Sequence, residues 1–495
     1  MLRSVETKDT TRHLIPETDS LSQPVECADR THLLDYFESL AETRDKWIKK
    51  NWYYHEQLAR TLSFLIPADS SVLQIGSGTG SLLNSLKPKR GLGIDFSPAM
   101  VNMAQIKYAH LEFRIDDVEN LKTNEKFDYV VLSDVIGFLS DVQRSFENLQ
   151  RVCHSSSRIV ITYFHFLWEP VLHVAERMGW KAKQPLLNWL TSDDIANLLE
   201  LAEFETIRTT SRLLLPIHMP LLTTFCNRIL ANLPGFKHLA LVRVIVARPR
   251  STPETESLSC SVVIPCRNER GNIKPAVARI PDVGRHTEII FVEGNSNDGT
   301  REEIQRVIAE HPQRDIKLVI QEGAGKGDAV RRGFAAATGD VLIILDGDLT
   351  VEPEELPKFY DAIVKGTCDF VHGSRLVYPM QNEAMRFLNL LGNRFFSIVF
   401  TYLLDQRFKD TLCGTKALRR SDYEKIAANR KYFGDFDPFG DFDLIFGAAK
   451  LNLKISEIPI HYRARTYGTT NISRFRHGLL LSRMAWYAIW KLKFV

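Results

Sequence analysis

The sequence predicts an α/β protein made of two Rossmann-like domains with mainly parallel sheets. Short apolar β-rich runs alternate with helical stretches, this rhythm occurs twice, and a polar segment separates the two series. The 495 residues exceed one ordinary core, and at about 150 residues per domain two or three domains are expected. A hydrophobic content of 44% with 25% charged residues excludes a mainly disordered chain. Lys+Arg 63 against Asp+Glu 60 is close to balance, which argues against a nucleic-acid protein working through bulk positive charge. The seven cysteines are odd in number and contain no CxxC pair, so neither a disulfide framework nor a zinc knuckle is expected. The first twenty residues carry charges where an export signal needs an apolar run, and no segment reaches the roughly 20 apolar residues that cross a bilayer. The expected location is cytoplasmic, with peripheral contact at the cytoplasmic face of a membrane.

The first series contains SSVLQI, GLGID, LEFRI, FDYVVLSD and SRIVITYF. Residues 1–30 read as a flexible lead and 31–249 as the domain. VLQIGSGTG reads as a buried strand entering a glycine-rich turn, where Gly76, Gly78 and Gly80 let a ligand approach the backbone. Asp95 ends the next strand, at the place where an acid can take ribose hydroxyls. Ser81 replaces the third glycine of a dinucleotide fingerprint, so an adenosyl ligand without a pyrophosphate fits better than a nicotinamide. From Tyr36 to Pro249 the sequence resembles the class I S-adenosylmethionine-dependent methyltransferases. The resemblance implies S-adenosylmethionine as cofactor, Asp95 at its ribose and Asp117 beside its adenine; Gln74 stands where the family often has an acid near the cofactor's amino group. Tyr163, His165 and His173 are chemically able to act as bases, and the methyl acceptor is not legible.

The composition changes at Ala247–Ser259, and 250–259 read as a linker. The second series, CSVVIP, EIIFVEG, IKLVIQ, DVLIILDGD and DFVHGSR, fills a domain over 260–477. DVLIILDGD delivers Asp346 and Asp348 at the end of a buried run. In an extended chain they would face opposite ways, so a turn at Gly347 is required, and a turned Asp-x-Asp suits a hard divalent cation that also takes diphosphate oxygens. GAGKGD places Lys326 at a glycine-rich turn before a helix, a position suited to phosphate contact. These motifs, in this order, resemble the family 2 glycosyltransferases of GT-A fold, and among them the polyprenyl-phosphate sugar transferases. The resemblance implies Mg²⁺ or Mn²⁺ on Asp346 and Asp348, with Thr350 nearby. It implies a nucleotide pocket of Pro265, Glu269, Glu293 and Asp298, and Arg375 at the donor diphosphate. It places Lys416 in the acceptor-side loop, where the family usually has arginine. Asp443 falls on its acidic acceptor-site position and Arg465 on its phosphate-binding arginine.

The expected function is bifunctional. The second domain moves a sugar, with inversion, from a nucleotide-sugar to a polyprenyl phosphate or glycan, and the first methylates an unidentified acceptor. A lipid phosphate needs cations alone, whereas a sugar hydroxyl needs a base such as Asp443, with Asp441 as second choice. The alternative is transfer to a sugar hydroxyl in surface polysaccharide synthesis, with the first domain as a scaffold. Residues 478–495 mix Arg and Lys with Trp, Tyr and Leu and read as an amphipathic helix suited to the headgroup boundary. Met385–Leu404 is a second such candidate.

Overall fold

The computed structural model describes residues 30–185, 187–251, 257–379, 387–432, 440–468 and 474–494. Most of the expected flexible lead (1–29), part of the linker (252–256) and Met385 lie outside the described residues.

The first sheet contains β1 (Ser71–Ile75), β2 (Arg90–Asp95), β3 (Glu112–Ile115), β4 (Phe127–Ser133), β5 (Cys153–Phe164), β6 (Phe204–Arg212) and β7 (Val242–Pro249). Their order is β3-β2-β1-β4-β5-β7-β6. The first five are parallel, and their near-continuous apolar runs are buried between helices on both faces. β7 runs antiparallel to both neighbours, so the sheet is mixed. β7 continues through Pro249, so the composition change at Ala247 comes before the strand ends.

The second sheet contains β8 (Cys260–Cys266), β9 (Thr287–Glu293), β10 (Asp315–Ile320), β11 (Val341–Ile344), β12 (Phe370–Ser374), β13 (Lys416–Arg419) and β14 (Ile455–Pro459). The order is β10-β9-β8-β11-β13-β12-β14, with β13 antiparallel to β11 and β12. The chain order reverses around β8, so its carboxyl end, with those of β9 and β11, opens the crevice where such sheets bind ligands.

The helices Phe387–Leu404 and Arg474–Leu492 pack together over this second sheet. Phe396, Phe400, Leu403, Met484 and Ala488 are buried in one cluster with strand residues such as Ile344 and Phe370. The C-terminal helix therefore belongs to the core of the second half. The two helices expose Leu391, Phe395, Ile398, Leu479, Trp486 and Trp490. Among the described residues no helix is long and apolar enough to cross a membrane.

Buried polar contacts join the halves. Asp369, just ahead of β12, accepts from Arg158 of β5 (2.7 Å) and from Arg248 of β7 (2.6 Å). Asn452, just ahead of β14, accepts from Arg158 Nε (2.8 Å) on its carbonyl and donates to the Leu65 carbonyl (2.8 Å). Both arginines are almost wholly buried.

Candidate active sites

In the first half, Gly76, Gly78 and Gly80 all have positive φ (65°, 50° and 79°), which bends the chain sharply between β1 and its helix. A side chain at Gly78 would meet no atom within 4 Å, so the turn faces open space. That space is a cavity of about 440 Å³, a size suited to a small ligand. Gly76, Gly78, Asp95, Phe96, Asp117 and Phe138 line its inner part. Asp95 braces the turn: its carboxylate accepts from the backbone N–H of Gly78 (2.8 Å) and of Ser97 (3.0 Å). Burial pushes its carboxyl above the usual range, against the pull of those two bonds. Of the two acids in RIDDVENL, Asp116 folds the local loop by accepting from Thr123 N and Oγ1. Asp117 caps the next turn through Glu119 N (3.0 Å) and pairs with Arg30.

The cofactor fits this site on two counts. Any side chain at Gly78 would fill the cradle, and the Asp95 carboxylate stands in the same lining beside the turn it braces. Among the basic groups of the lining, Arg44 faces Asp95 and Asp134 across the cavity.

Tyr163, His165 and His173 do not line the cavity. Tyr163 Oη donates to Ser192 Oγ (2.8 Å), and His173 stands among Glu169 and Glu176 at the surface. Burial, with Arg243 nearby, pushes His165 down to about 4, so it stays neutral. Besides Asp95, Asp116 and Asp117, the titratable groups that line the cavity include Tyr54, His55, Asp134 and Lys181, of which only Asp134 lies in a quoted motif, at the end of FDYVVLSD.

In the second half, Asp346 and Asp348 follow β11 in a tight turn. Leu349 has φ 51° and its N–H donates to the Asp346 carbonyl (3.1 Å). A side chain at Gly347 would strike the Pro265 carbonyl, so the turn is pressed against the end of β8. Asp348 Oδ1 accepts from Thr350 N (3.2 Å) and Oγ1 (2.9 Å), and its Oδ2 accepts from Arg465 Nη2 (2.7 Å). Arg465 Nη1 reaches Glu269 Oε1 (3.0 Å). Asp346 Oδ1 lies 2.5 Å from Lys326 Nζ, which is also 3.9 Å from Asp441. Burial would raise the Asp346 carboxyl, but Lys326, then Lys416 and Arg375, hold it below the usual range. A side chain at Gly414 would occupy the space of this pair. The donor set is thus two fixed carboxylates, which suits a hard divalent cation.

The nucleotide-side residues also converge. Pro265 lies in β8, Glu269 follows it, and Glu293 ends β9, accepting from Ser296 N (2.6 Å). Asp298 accepts from Thr300 N (3.0 Å), Arg270 N (3.2 Å) and Tyr467 Oη (3.2 Å), so it joins the loops after β8 and β9 to the C-terminal segment.

Three residues sit differently from a free contact role. Arg375 is held by Asp410 through Nε (2.7 Å) and Nη2 (2.8 Å) in a buried pair. Lys416, wholly buried in β13, donates to Asp441 Oδ1 (2.7 Å) and the Cys413 carbonyl (2.6 Å). Asp443 Oδ2 accepts from Arg430 Nε (2.8 Å), so Asp441, rather than Asp443, shares the lysine that holds Asp346. The carboxylates of Glu352 and Glu355 also gather near His461. They already hold Arg463 (2.9 Å) and His461 itself (2.7 Å), and form an ion-pair network.

Two family models match the chain: "Methyltransferase domain" over residues 51–209 and "Glycosyl transferase family 2" over residues 261–427. Glycosyltransferase AglJ of Haloferax volcanii is 30% identical over 219 residues, covering 44% of this chain and 67% of that protein. Dolichol-phosphate mannosyltransferase of Pyrococcus furiosus is 34% identical over 176 residues, covering 35% of this chain and 49% of that protein. The chain thus spans two thirds of the first relative's length and about half of the second's. A solved glucosyl-3-phosphoglycerate synthase from Mycobacterium tuberculosis aligns at 19% identity with a TM-score of 0.35, over 48% of this chain and 80% of that one. That likeness is too low to add to the topology described above. The two active sites and their sheets define a transferase of α/β class. The chain belongs to the family 2 glycosyltransferases and carries a methyltransferase domain ahead of the sugar-transferring one.

Proposed function

We propose that the second half, residues 260–477 with the helix that follows, transfers a sugar with inversion from a nucleotide-sugar to a polyprenyl phosphate. We also infer that the first half, residues 31–249, methylates an acceptor with S-adenosylmethionine. The observation that carries the sugar-transfer reading is the pairing of Asp346 with Lys326 and of Asp348 with Arg465. Asp346 and Asp348 would hold Mg²⁺ or Mn²⁺, which supplies charge neutralisation for a departing nucleoside diphosphate. Lys326 and Arg465 are long side chains able to serve either these carboxylates or an incoming phosphate oxygen. Glu269, Glu293 and Asp298 orient the loops around the nucleotide, and Asp410 keeps Arg375 aimed along the same edge. Asp441 holds Lys416 in place. A phosphate acceptor is already anionic and asks the chain only to position it. The relative named as a dolichol-phosphate mannosyltransferase supports that acceptor class.

The second reading is transfer to a sugar hydroxyl, with Asp441 as base; its closeness to Lys326, the partner of Asp346, favours it over Asp443 for that role. Incubation with a panel of nucleotide-sugars, Mn²⁺ and either a polyprenyl phosphate or free sugars, read by mass spectrometry, separates the two. The expected product is the lipid-phosphate sugar alone, and Asp346→Ala with Asp348→Ala abolishes it. Transfer that survives both alanines overturns the reading.

A further inference from the structure

The methyltransferase cavity has an outer compartment that the cofactor-side residues do not account for. Phe164, Trp168, Leu172, Leu215 and Leu241 line it, and at its mouth Val171, Val174, Trp180 and Ile217 are half exposed or more. Soluble surfaces rarely gather so many exposed apolar side chains at the rim of a cavity. At the polar end stands Asp134, directly after β4, in a left-handed conformation (φ 57°) that is uncommon for a non-glycine residue and gathers at functional sites. Tyr54 Oη donates to its Oδ2 (2.5 Å), while Oδ1 has only a long bond from Thr162 (3.4 Å). One carboxylate oxygen is therefore fixed and the other is left for a ligand.

The apolar rim also continues beyond the cavity. The helix Leu222–Arg228 exposes Leu222 and Phe225. Its Arg228 donates to the Phe494 carbonyl (2.8 Å) and lies 5.7 Å over the Trp490 ring, so this segment adjoins the helix that exposes Trp486 and Trp490.

Resting on the cofactor reading above, we propose that this compartment takes the apolar body of a hydroxyl-bearing amphiphile drawn from a lipid surface, and that Asp134 receives the hydroxyl proton. The acceptor oxygen forms the new O–C bond, the C–S bonding pair stays on the sulfonium sulfur, which leaves as a neutral thioether, and the proton passes to Asp134 Oδ1. Burial raises this carboxyl above its usual range, against the pull of the Tyr54 bond and the nearby Arg44 and Lys181 charges, toward the range of a working base. His55 also faces the cavity and is neutral, pushed by burial down to about 4.

Calorimetry and mass spectrometry on the full chain test the proposal. S-adenosylhomocysteine is titrated first. Its complex is then titrated with octyl glucoside, below the micelle concentration, and with glucose. Octyl glucoside should bind at least tenfold more tightly than glucose, and Val174→Asp should weaken it tenfold while changing S-adenosylhomocysteine affinity less than threefold. With S-adenosylmethionine, one of a panel of octyl glycosides should gain a methyl group. Asp134→Asn, which suits the left-handed backbone equally, should slow that gain at least 100-fold with both binding affinities within threefold. Equal binding of glucose, no methyl gain, or an unchanged rate in Asp134→Asn overturns the proposal. Failure of S-adenosylhomocysteine itself to bind overturns the cofactor reading, and the proposal with it.

Discussion

At the scale of single residues, the acids of the second site differ in what they hold. Asp441 keeps wholly buried Lys416 paired and stands close to Lys326, whereas Asp443 meets a half-exposed Arg430. Asp441→Asn leaves the buried Lys416 with neutral acceptors only, the Cys413 carbonyl and the new amide oxygen, and a buried charge stripped of its counter-charge is costly. Sugar transfer at saturating acceptor should fall at least 100-fold in Asp441→Asn and less than tenfold in Asp443→Asn; the reverse order restores Asp443 as the acceptor-side acid. Asp346 and Asp348 were legible because two carboxylates straight after a buried apolar run have no other comfortable setting. Asp441 and Asp443 are two positions apart in one motif, and only the fold decides which of them turns toward Lys326. Tyr54 and Asp134 were not legible as a pair, because eighty residues separate them and neither belongs to a phosphate- or nucleoside-binding pattern. The sole local signal was an acid at the end of FDYVVLSD, where ligands of open sheets gather.

At the scale of elements, the apolar strands β1 to β5 and β8 to β12 were readable and the other four were not. β1 to β5 and β8 to β12 are short apolar runs bounded by turns, the pattern that burial on both faces imposes. β6, FETIRTTSR, is rich in polar residues, and β13 carries Lys416 and Arg419, so neither stands out from loops. β7 and β14 lie beside a linker-like and an arginine-rich stretch that mask them. The C-terminal helix shows the same ambiguity from the other side: its sequence suits a membrane surface, while its fold uses one face as core. Leu481, Met484, Ala485 and Ala488 are buried, and Leu479, Trp486 and Trp490 are exposed. A helix with exposed tryptophans and flanking cations suits an anionic headgroup layer. The protein should sediment with anionic vesicles and be released by salt, and Trp486→Glu with Trp490→Glu should lower the bound fraction at least fivefold without changing the melting temperature by more than a few degrees. Equal sedimentation of that variant assigns membrane contact elsewhere.

At the scale of the whole molecule, the two halves share a polar seam. Asp369 is the common acceptor of two arginines delivered from separate strands of the first sheet, and it also accepts from the backbone N–H of Lys454 (2.8 Å). Glu205 closes the network by accepting from Lys454 Nζ (2.5 Å) and pairing with Arg248. Such a seam fixes orientation: each guanidinium has one geometry in which its donors are satisfied, whereas an apolar interface tolerates sliding. It also fixes the first half against the C-terminal helix that carries Trp486 and Trp490, since Arg212 of β6 donates to the Lys493 carbonyl (3.3 Å). Asp369→Asn leaves both arginines buried with half their pairing, a change that costs about 3–5 kcal/mol for a broken buried pair. Scanning calorimetry should show the single transition of the parent protein lowered and split into two, one for each half. The pH dependence has a definite sign. Burial raises the Asp369 carboxyl but Arg158 and Arg248 outweigh it, leaving it below the usual range. A depressed folded-state value stabilises the protein above the unfolded carboxylate value of about 3.9, and the benefit is lost as pH falls through the folded one. The gap between parent and Asp369→Asn should therefore be constant from pH 8 to about pH 5 and close below about pH 4; a gap that closes near neutrality, or no gap at all, means the seam does not hold the halves together.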